Sequence, residues 1–152
     1  MIKYPKIYIG PMSKNIVDSV CDLTQQDIGL IPSRRQIEFF GGYVNKWKTK
    51  QFVSYVREKN KNIVLQRDHG GPDQGLFMDD GLDSLLVDCE SNFDLIHIDP
   101  WKRYPDLQKG IDETIRLIRY CHNINKNCKY EIGTEQAIRS FTSKELKKIF
   151  FE

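Results

Sequence analysis

Histidines and carboxylates recur in this chain at the ends of short apolar runs. Asp68-His69 ends one run, His97 and Asp99 end the next, and Glu135 follows the last. Imidazole nitrogens and carboxylate oxygens bind divalent metals such as zinc, and the same groups transfer protons. This set of residues predicts either a divalent-metal site or acid–base chemistry on a hydroxylated substrate.

Such residues need strands that end at one common edge, and the hydrophobic pattern predicts these strands. Apolar runs that predict five strands occupy residues 6–12, 28–31, 62–67, 93–98 and 130–132. Helical spacing of apolar residues predicts a helix after each strand, the longest over 107–125. Ser13, Thr49 and Ser143 are predicted to cap three of these helices. The polar and aromatic segment 33–48 predicts a long loop.

Alternation of strands and helices predicts an α/β fold with a parallel sheet. We interpret residues 1–152 as one domain, the amino-terminal five β/α units of a (β/α)₈ TIM barrel. A small doubly wound parallel sheet is the alternative, although the first turn, Gly10-Pro11-Met12-Ser13, lacks the G-x-G-x-x-G pattern of dinucleotide-binding folds. In both architectures ligands bind at the carboxyl ends of the strands.

Each candidate also has a purely structural interpretation. Asp68-His69 with the following Gly-Gly-Pro is also a common way to end a strand in a turn. A histidine such as His97, inside an apolar strand, is often a hydrogen-bonded core residue. Arg34-Arg35 suits phosphate or carboxylate binding but is equally a solvated pair. The sequence alone leaves these alternatives open.

Composition limits the classes of partner. Lysine and arginine number 23 against 21 acidic residues, a net charge of +2 that argues against general nucleic-acid or membrane-surface binding. Residues 1–9 have no secretory-signal pattern, and no stretch approaches the ~20 apolar residues that span a bilayer. The four cysteines form no C-x-x-C pair. We therefore expect a cytoplasmic protein with reduced thiols.

Several segments together resemble one family. They are residues 36–43 (Q-I-E-F-F-G-G-Y), 68–73 (D-H-G-G-P-D), 96–99 (I-H-I-D) and 132–135 (I-G-T-E). In order and approximate spacing they are similar to segments of the class II D-tagatose-bisphosphate aldolase subunits, most closely the accessory, non-catalytic type. The resemblance covers nearly the whole chain and implies a (β/α)₈ barrel in carbohydrate metabolism.

The resemblance also implies roles for individual residues. Asp68 would be the catalytic proton donor and acceptor, and His69 would be a ligand of zinc or another divalent metal. The remaining strand-end candidates would bind a sugar phosphate: Gln36, Arg35, His97, Asp99 and Glu135. Arg34, Arg35, Arg67 and Asp73 depart from the family pattern, and the family's further metal and phosphate ligands come from later strands.

Three functions are compatible with this pattern. The first is an accessory subunit that associates with a catalytic aldolase subunit or with copies of itself. The alternatives are a metal-dependent sugar-phosphate aldolase, a carbon–carbon lyase, and an inactive fragment. Because five β/α units leave a barrel unclosed, we expect self-association or a partner chain, and weak metal affinity.

Overall fold

Strands and helices alternate along the chain in the computed structural model, which describes residues 4–23, 27–134 and 137–151. The strands are β1 (Ile7–Ile9), β2 (Ile28–Leu30), β3 (Gln66–Gly70), β4 (Leu95–Ile98) and β5 (Lys129–Ile132). The helices are α1 (Lys14–Asp22), α2 (Arg34–Ile37), α3 (Thr49–Lys59), α4 (Leu82–Glu90), α5 (Leu107–Ile124) and α6 (Ser143–Phe151).

All described strand pairs are parallel, and neighbouring strands follow one another in the chain. One sheet pairs β1 with β2, and a second has the order β3-β4-β5. Two isolated parallel bridges, Leu30 with Leu65 and Ser33 with Asp68, lie between the two sheets. The carboxyl ends of β3, β4 and β5 therefore meet at one edge, as a shared site requires.

The predicted α/β class with parallel strands is confirmed. The described strands do not close into a barrel, and the open arrangement is also consistent with the alternative of a small doubly wound sheet. Within the described ranges, no helix combines the length and the apolar character needed to cross a membrane.

The helices begin where side chains satisfy their first backbone N–H groups. Ser13 Oγ accepts from Ile16 N at 3.3 Å, which confirms the predicted cap of α1. The predictions for Thr49 and Ser143 were off by one residue. Each of these residues is instead the first of its helix: Gln51 Oε1 accepts from Lys48 N before α3, and Thr142 and Glu145 form a reciprocal capping box before α6.

The prediction of a long loop over 33–48 was wrong at its start. Ser33 N donates to Gln36 Oε1 at 2.7 Å, a local bond that starts the short helix α2. The Gly41-Gly42 pair then turns the chain, with φ angles of 72° and 29° that favour glycine. A Cβ on Gly42 would collide with the backbone of Gln36.

The core lies between the strands and the layer of helices. Helix α1 packs on α3, α3 on α4, and α4 on α5. Phe52, Ile96 and Leu117 are fully buried between these elements. Burying a side chain of this kind stabilises the fold by about 1.5–3 kcal/mol. The helix-facing side of the sheet is thus occupied by packing, which leaves the strand ends for chemistry.

Candidate metal and acid–base site

The end of β3 is irregular at the residues singled out from the sequence. The pairing register with β4 shifts between Arg67 and Gly70, and His69 has a φ of 47°. Successive side chains of a regular strand point to opposite faces of the sheet. A register shift of this kind changes the direction in which one of these side chains points. The positive φ of His69 costs on the order of 1–3 kcal/mol, which the surrounding contacts must offset.

The irregularity brings three potential metal ligands together. Asp68, His69 and His97 each offer a ligand atom, and these atoms all lie within 4.8 Å of one another. His69 Nε2 is 3.6 Å from Asp68 Oδ1, and the two imidazole rings are tilted by 39° with centroids 4.7 Å apart. His97 is buried, whereas the Asp68 side chain is 33% exposed. The cluster is thus open to a ligand on the Asp68 side.

Asp99 fixes the orientation of the His69 ring. The Asp99 side chain is fully buried, and its Oδ2 lies 2.8 Å from His69 Nδ1. Its other oxygen accepts from Trp101 N at 3.3 Å. A neutral His69 that donates from Nδ1 to Asp99 keeps Nε2 as the acceptor nitrogen. A carboxylate behind a histidine in this way is the common outer-shell support of a metal ligand.

Gly133, just after β5, allows the close approach of this strand to the cluster. A Cβ at Gly133 would lie 2.8 Å from both Asp99 Cβ and His97 Nε2. Trp101 Nε1 donates to the carbonyl of Gly133 at 2.5 Å. Neither Gly133 nor Trp101 was predicted as a site residue. A glycine directly after a strand was the available signal for a close backbone contact.

Two loops beside the cluster are tied together. Arg103 forms a bidentate ion pair with Asp73, at 2.8 and 2.6 Å, and Lys102 Nζ donates to the Asp73 carbonyl at 2.6 Å. Gln74 Nε2 donates to the carbonyl of Asp99 at 2.8 Å. Arg103 is thus the partner of the charged side chain at position 73. Sequence analysis missed Gln74 and Arg103, because nothing local marks a contact across some 25–30 residues.

Comparison with protein-family models and with curated proteins finds no match for this chain. The cluster combines two imidazoles, an accessible carboxylate and a buried carboxylate that orients one imidazole. This combination suits divalent-metal binding coupled to proton transfer.

The other predicted ligand-binding residues have different surroundings. Gln36 is buried, and its amide bonds both to Ser33 N and, at 2.8 Å, to the Pro11 carbonyl, so it joins the loops after β1 and β2. The Arg35 side chain is exposed and has no hydrogen-bond or ion-pair partner among the described residues. Glu135 lies outside the described residues. Substrate binding by these three residues stays a prediction.

Arg34 and Arg67 bind carboxylates within the fold. Arg34 forms bidentate bonds of 2.9 and 2.8 Å to Asp79 and also binds Glu38. Arg67 faces the helices, where Asp88 binds it at 2.8 and 2.5 Å. Both guanidinium groups are occupied by carboxylates, so neither is available to a phosphate at the strand edge.

Proposed function

We propose that this chain binds a divalent metal at the strand edge and acts on a sugar phosphate, as a subunit of the class II ketose-bisphosphate aldolase type. The observation that carries the proposal is the convergence of Asp68, His69 and His97 within 4.8 Å, with Asp99 behind His69. The resemblance of the segments around these residues supplies the substrate class.

The donor set fits a divalent cation. Imidazole nitrogens are common ligands of catalytic zinc sites, which leave one position open for substrate or water. We assign the metal to His69 and His97, whose rings are adjacent. A divalent metal held there would polarise a substrate carbonyl as a Lewis acid.

Asp68 is the residue we assign to proton transfer. Its side chain is the most exposed of the three, 33% against 24% for His69, so it faces an incoming substrate. An ionised carboxylate there takes up a hydroxyl proton as a carbon–carbon bond breaks and returns it in the reverse reaction. Asp99 is too deeply buried for this role and instead holds the ring of His69.

We also propose that the five strands belong to a (β/α)₈ barrel wall. Consecutive strands are neighbours, and consecutive long helices, from α1 through α3, α4 and α5, pack on one another. In a doubly wound sheet the strand order reverses at a switch point and helices cover both faces. The strand order and the helix contacts therefore favour the barrel.

The test is a comparison of Asp68→Asn with the wild-type chain in metal-dependent cleavage of tagatose bisphosphate. We expect the variant to lose about 10²–10⁴-fold in rate, because the amide keeps the shape but cannot accept the proton. Zinc content should be unchanged. Asp112→Asn, at an exposed carboxylate of α5, is the matched control. If the Asp68 variant cleaves the sugar at the wild-type rate, or loses its metal, the assignment of Asp68 is wrong.

A second candidate function, the accessory subunit, is favoured by an exposed apolar surface. We name the rim patch as the exposed side chains of the loops after β1, β2 and β3, namely Met12, Phe40, Tyr43, Leu76, Phe77 and Met78. Phe40 is 86% exposed and Met78 84%. Exposed apolar residues grouped in this way mark interaction sites more often than isolated ones do.

Sedimentation distinguishes this role from that of an independent enzyme. An accessory subunit should form a complex with a catalytic class II aldolase subunit, and Phe40→Ser with Phe77→Ser should weaken it. Phe151→Ser, at an exposed phenylalanine of α6, is the matched control. Equal sedimentation of the mixture and of the separate chains would exclude the accessory role with that subunit.

A further inference from the structure

Three of the four cysteines converge at the far ends of α4 and α5. Cys89 lies near the end of α4, Cys121 lies in the last turn of α5, and Cys128 precedes β5. All three are free thiols, with 1%, 0% and 3% of their surfaces exposed. The fourth, Cys21, lies on α1 and takes no part in this group.

Asn125 holds the three cysteine backbones together. Its Nδ2 donates to the carbonyl of Cys89 at 3.1 Å, and its backbone N–H donates to the carbonyl of Cys121 at 2.9 Å. Its own carbonyl accepts from Cys128 N at 3.3 Å. The Cys89 sulfur is the one that interacts with both other thiols and is therefore central among the three, while Cys128 Sγ donates to the Lys129 carbonyl at 3.4 Å.

The central position makes Cys89 the nucleophile of the group. Contact with Cys121 and Cys128 lowers the pKa of Cys89. Contact with Cys89, together with burial, raises the pKa values of Cys121 and Cys128. The thiolate is the reactive form of cysteine in attack on another sulfur.

A groove gives solvent a route to one of these thiols. A cavity of about 980 Å³ runs along the strands, and its lining includes Cys128 with His122, Lys126 and Lys129. Lys126 and Lys129 are exposed, whereas Cys121 is fully buried and does not line the groove. A small neutral oxidant therefore has access to the group of thiols from the Cys128 side.

We propose that Cys89 and Cys128 form a redox pair that closes to a disulfide when the protein meets a hydroperoxide. The Cys89 thiolate attacks one oxygen of hydrogen peroxide, the O–O bond breaks, and Cys89 becomes a sulfenic acid, while the other oxygen leaves as hydroxide and takes a proton from solvent to become water. The Cys128 sulfur then attacks the Cys89 sulfur and gives up its S–H proton. The S–O bond breaks, the hydroxyl leaves with a proton as water, and both thiols have been oxidised by one peroxide.

The surroundings favour a disulfide over a thiolate-bound metal. The thiols belong to the main apolar core, and the carboxylates of Asp88 and Asp94 lie close enough to raise the pKa of Cys128 further. Several thiolates around a cation would leave net negative charge in this core, which is costly. A disulfide is neutral and adds no buried charge.

The experiment oxidises the folded chain with hydrogen peroxide, alkylates the remaining thiols and maps the peptides by mass spectrometry. We expect a Cys89–Cys128 link, with the loss of two hydrogen atoms, while Cys21 is alkylated. Cys21→Ser is the matched control and should oxidise at the wild-type rate. Cys128→Ser should slow disulfide formation at least tenfold, and circular dichroism will check that it is folded.

Three results would overturn the proposal. The first is that all four thiols of the folded wild-type chain remain reduced at peroxide concentrations that oxidise a control dithiol. The second is that Cys21 enters the disulfide. The third is that a folded Cys128→Ser chain forms a disulfide as fast as the wild type. The wild-type map does not depend on any variant folding, so the proposal stays testable.

Discussion

Arg67 and Asp68 are adjacent charged residues on β3 with opposite surroundings. Arg67 faces the helices, is fully buried, and donates to both oxygens of Asp88 as well as to the Thr49 hydroxyl and the Pro32 carbonyl. Asp68 lies at the strand edge, one-third exposed, with His69 Nε2 3.6 Å away. Burial and partners, rather than charge alone, separate a structural residue from a candidate functional one.

This contrast has a physical basis. A buried ion pair must use its polar atoms within the protein, since any unpaired charge in the core costs several kcal/mol. The Arg67–Asp88 pair meets that requirement and has no capacity left for a ligand. An accessible carboxylate is solvated without a cation, so Asp68 can bind or exchange a proton without disturbing the fold.

The largest expected effect follows from breaking the buried pair. Asp88→Asn leaves the Arg67 charge in the core without its carboxylate, with Glu38 Oε2 the next at 3.9 Å. We expect the free energy of unfolding to fall by about 3–5 kcal/mol. Urea unfolding measures this loss, and Asp68→Asn, on the same strand, should change stability by only about 0.5 kcal/mol. Similar losses in both variants would remove the distinction between the two sites.

A smaller effect is expected from filling the space beside the cluster. Gly133→Ala places a methyl group 2.8 Å from His97 Nε2 and Asp99 Cβ. The displacement should cost about 1–3 kcal/mol and reduce metal affinity together with stability. Gly10→Ala is the control, because its Cβ would meet nothing closer than 3.8 Å. Equal stability of the two variants would show that the chain at Gly133 is not in tight contact with His97 and Asp99.

Glu145 provides a third kind of carboxylate, one that is half-buried and bonded. Thr142 N and the Arg139 guanidinium donate to it and lower its pKa from 4.5 to about 2. A lowered folded-state pKa means that the carboxylate stabilises the fold above pH 4.5, and this contribution is lost as the pH falls towards 2. Glu145→Gln should remove that part of the pH dependence in urea unfolding. An unchanged pH profile would contradict the prediction.

The sequence predicted what local patterns determine. Ser13 caps α1, and the strand predicted over 93–98 matches β4 (Leu95–Ile98), which contains His97 and ends directly before Asp99. It could not predict the positive φ of His69, since the register shift depends on how β3 pairs with β4. Nor could it pair Arg67 with Asp88, because 21 residues and a loop separate them. Contacts of this length depend on tertiary packing, which a single sequence does not display.

The central claim, that the strand-edge histidines hold a divalent metal, is tested most directly by titration with Co²⁺ as a probe for zinc. The chain has three histidines, so His122→Asn on α5 is the matched control for His97→Asn. We expect one Co²⁺ per wild-type chain, with visible bands and no thiolate charge-transfer absorption. Removing an outer-shell partner of a metal ligand lowers metal affinity by about 10–100-fold. We expect His97→Asn to lower the Co²⁺ affinity by more than this, and His122→Asn to bind Co²⁺ as the wild type does. Equal affinity of the two variants, or no Co²⁺ binding by the wild type, would contradict the claim.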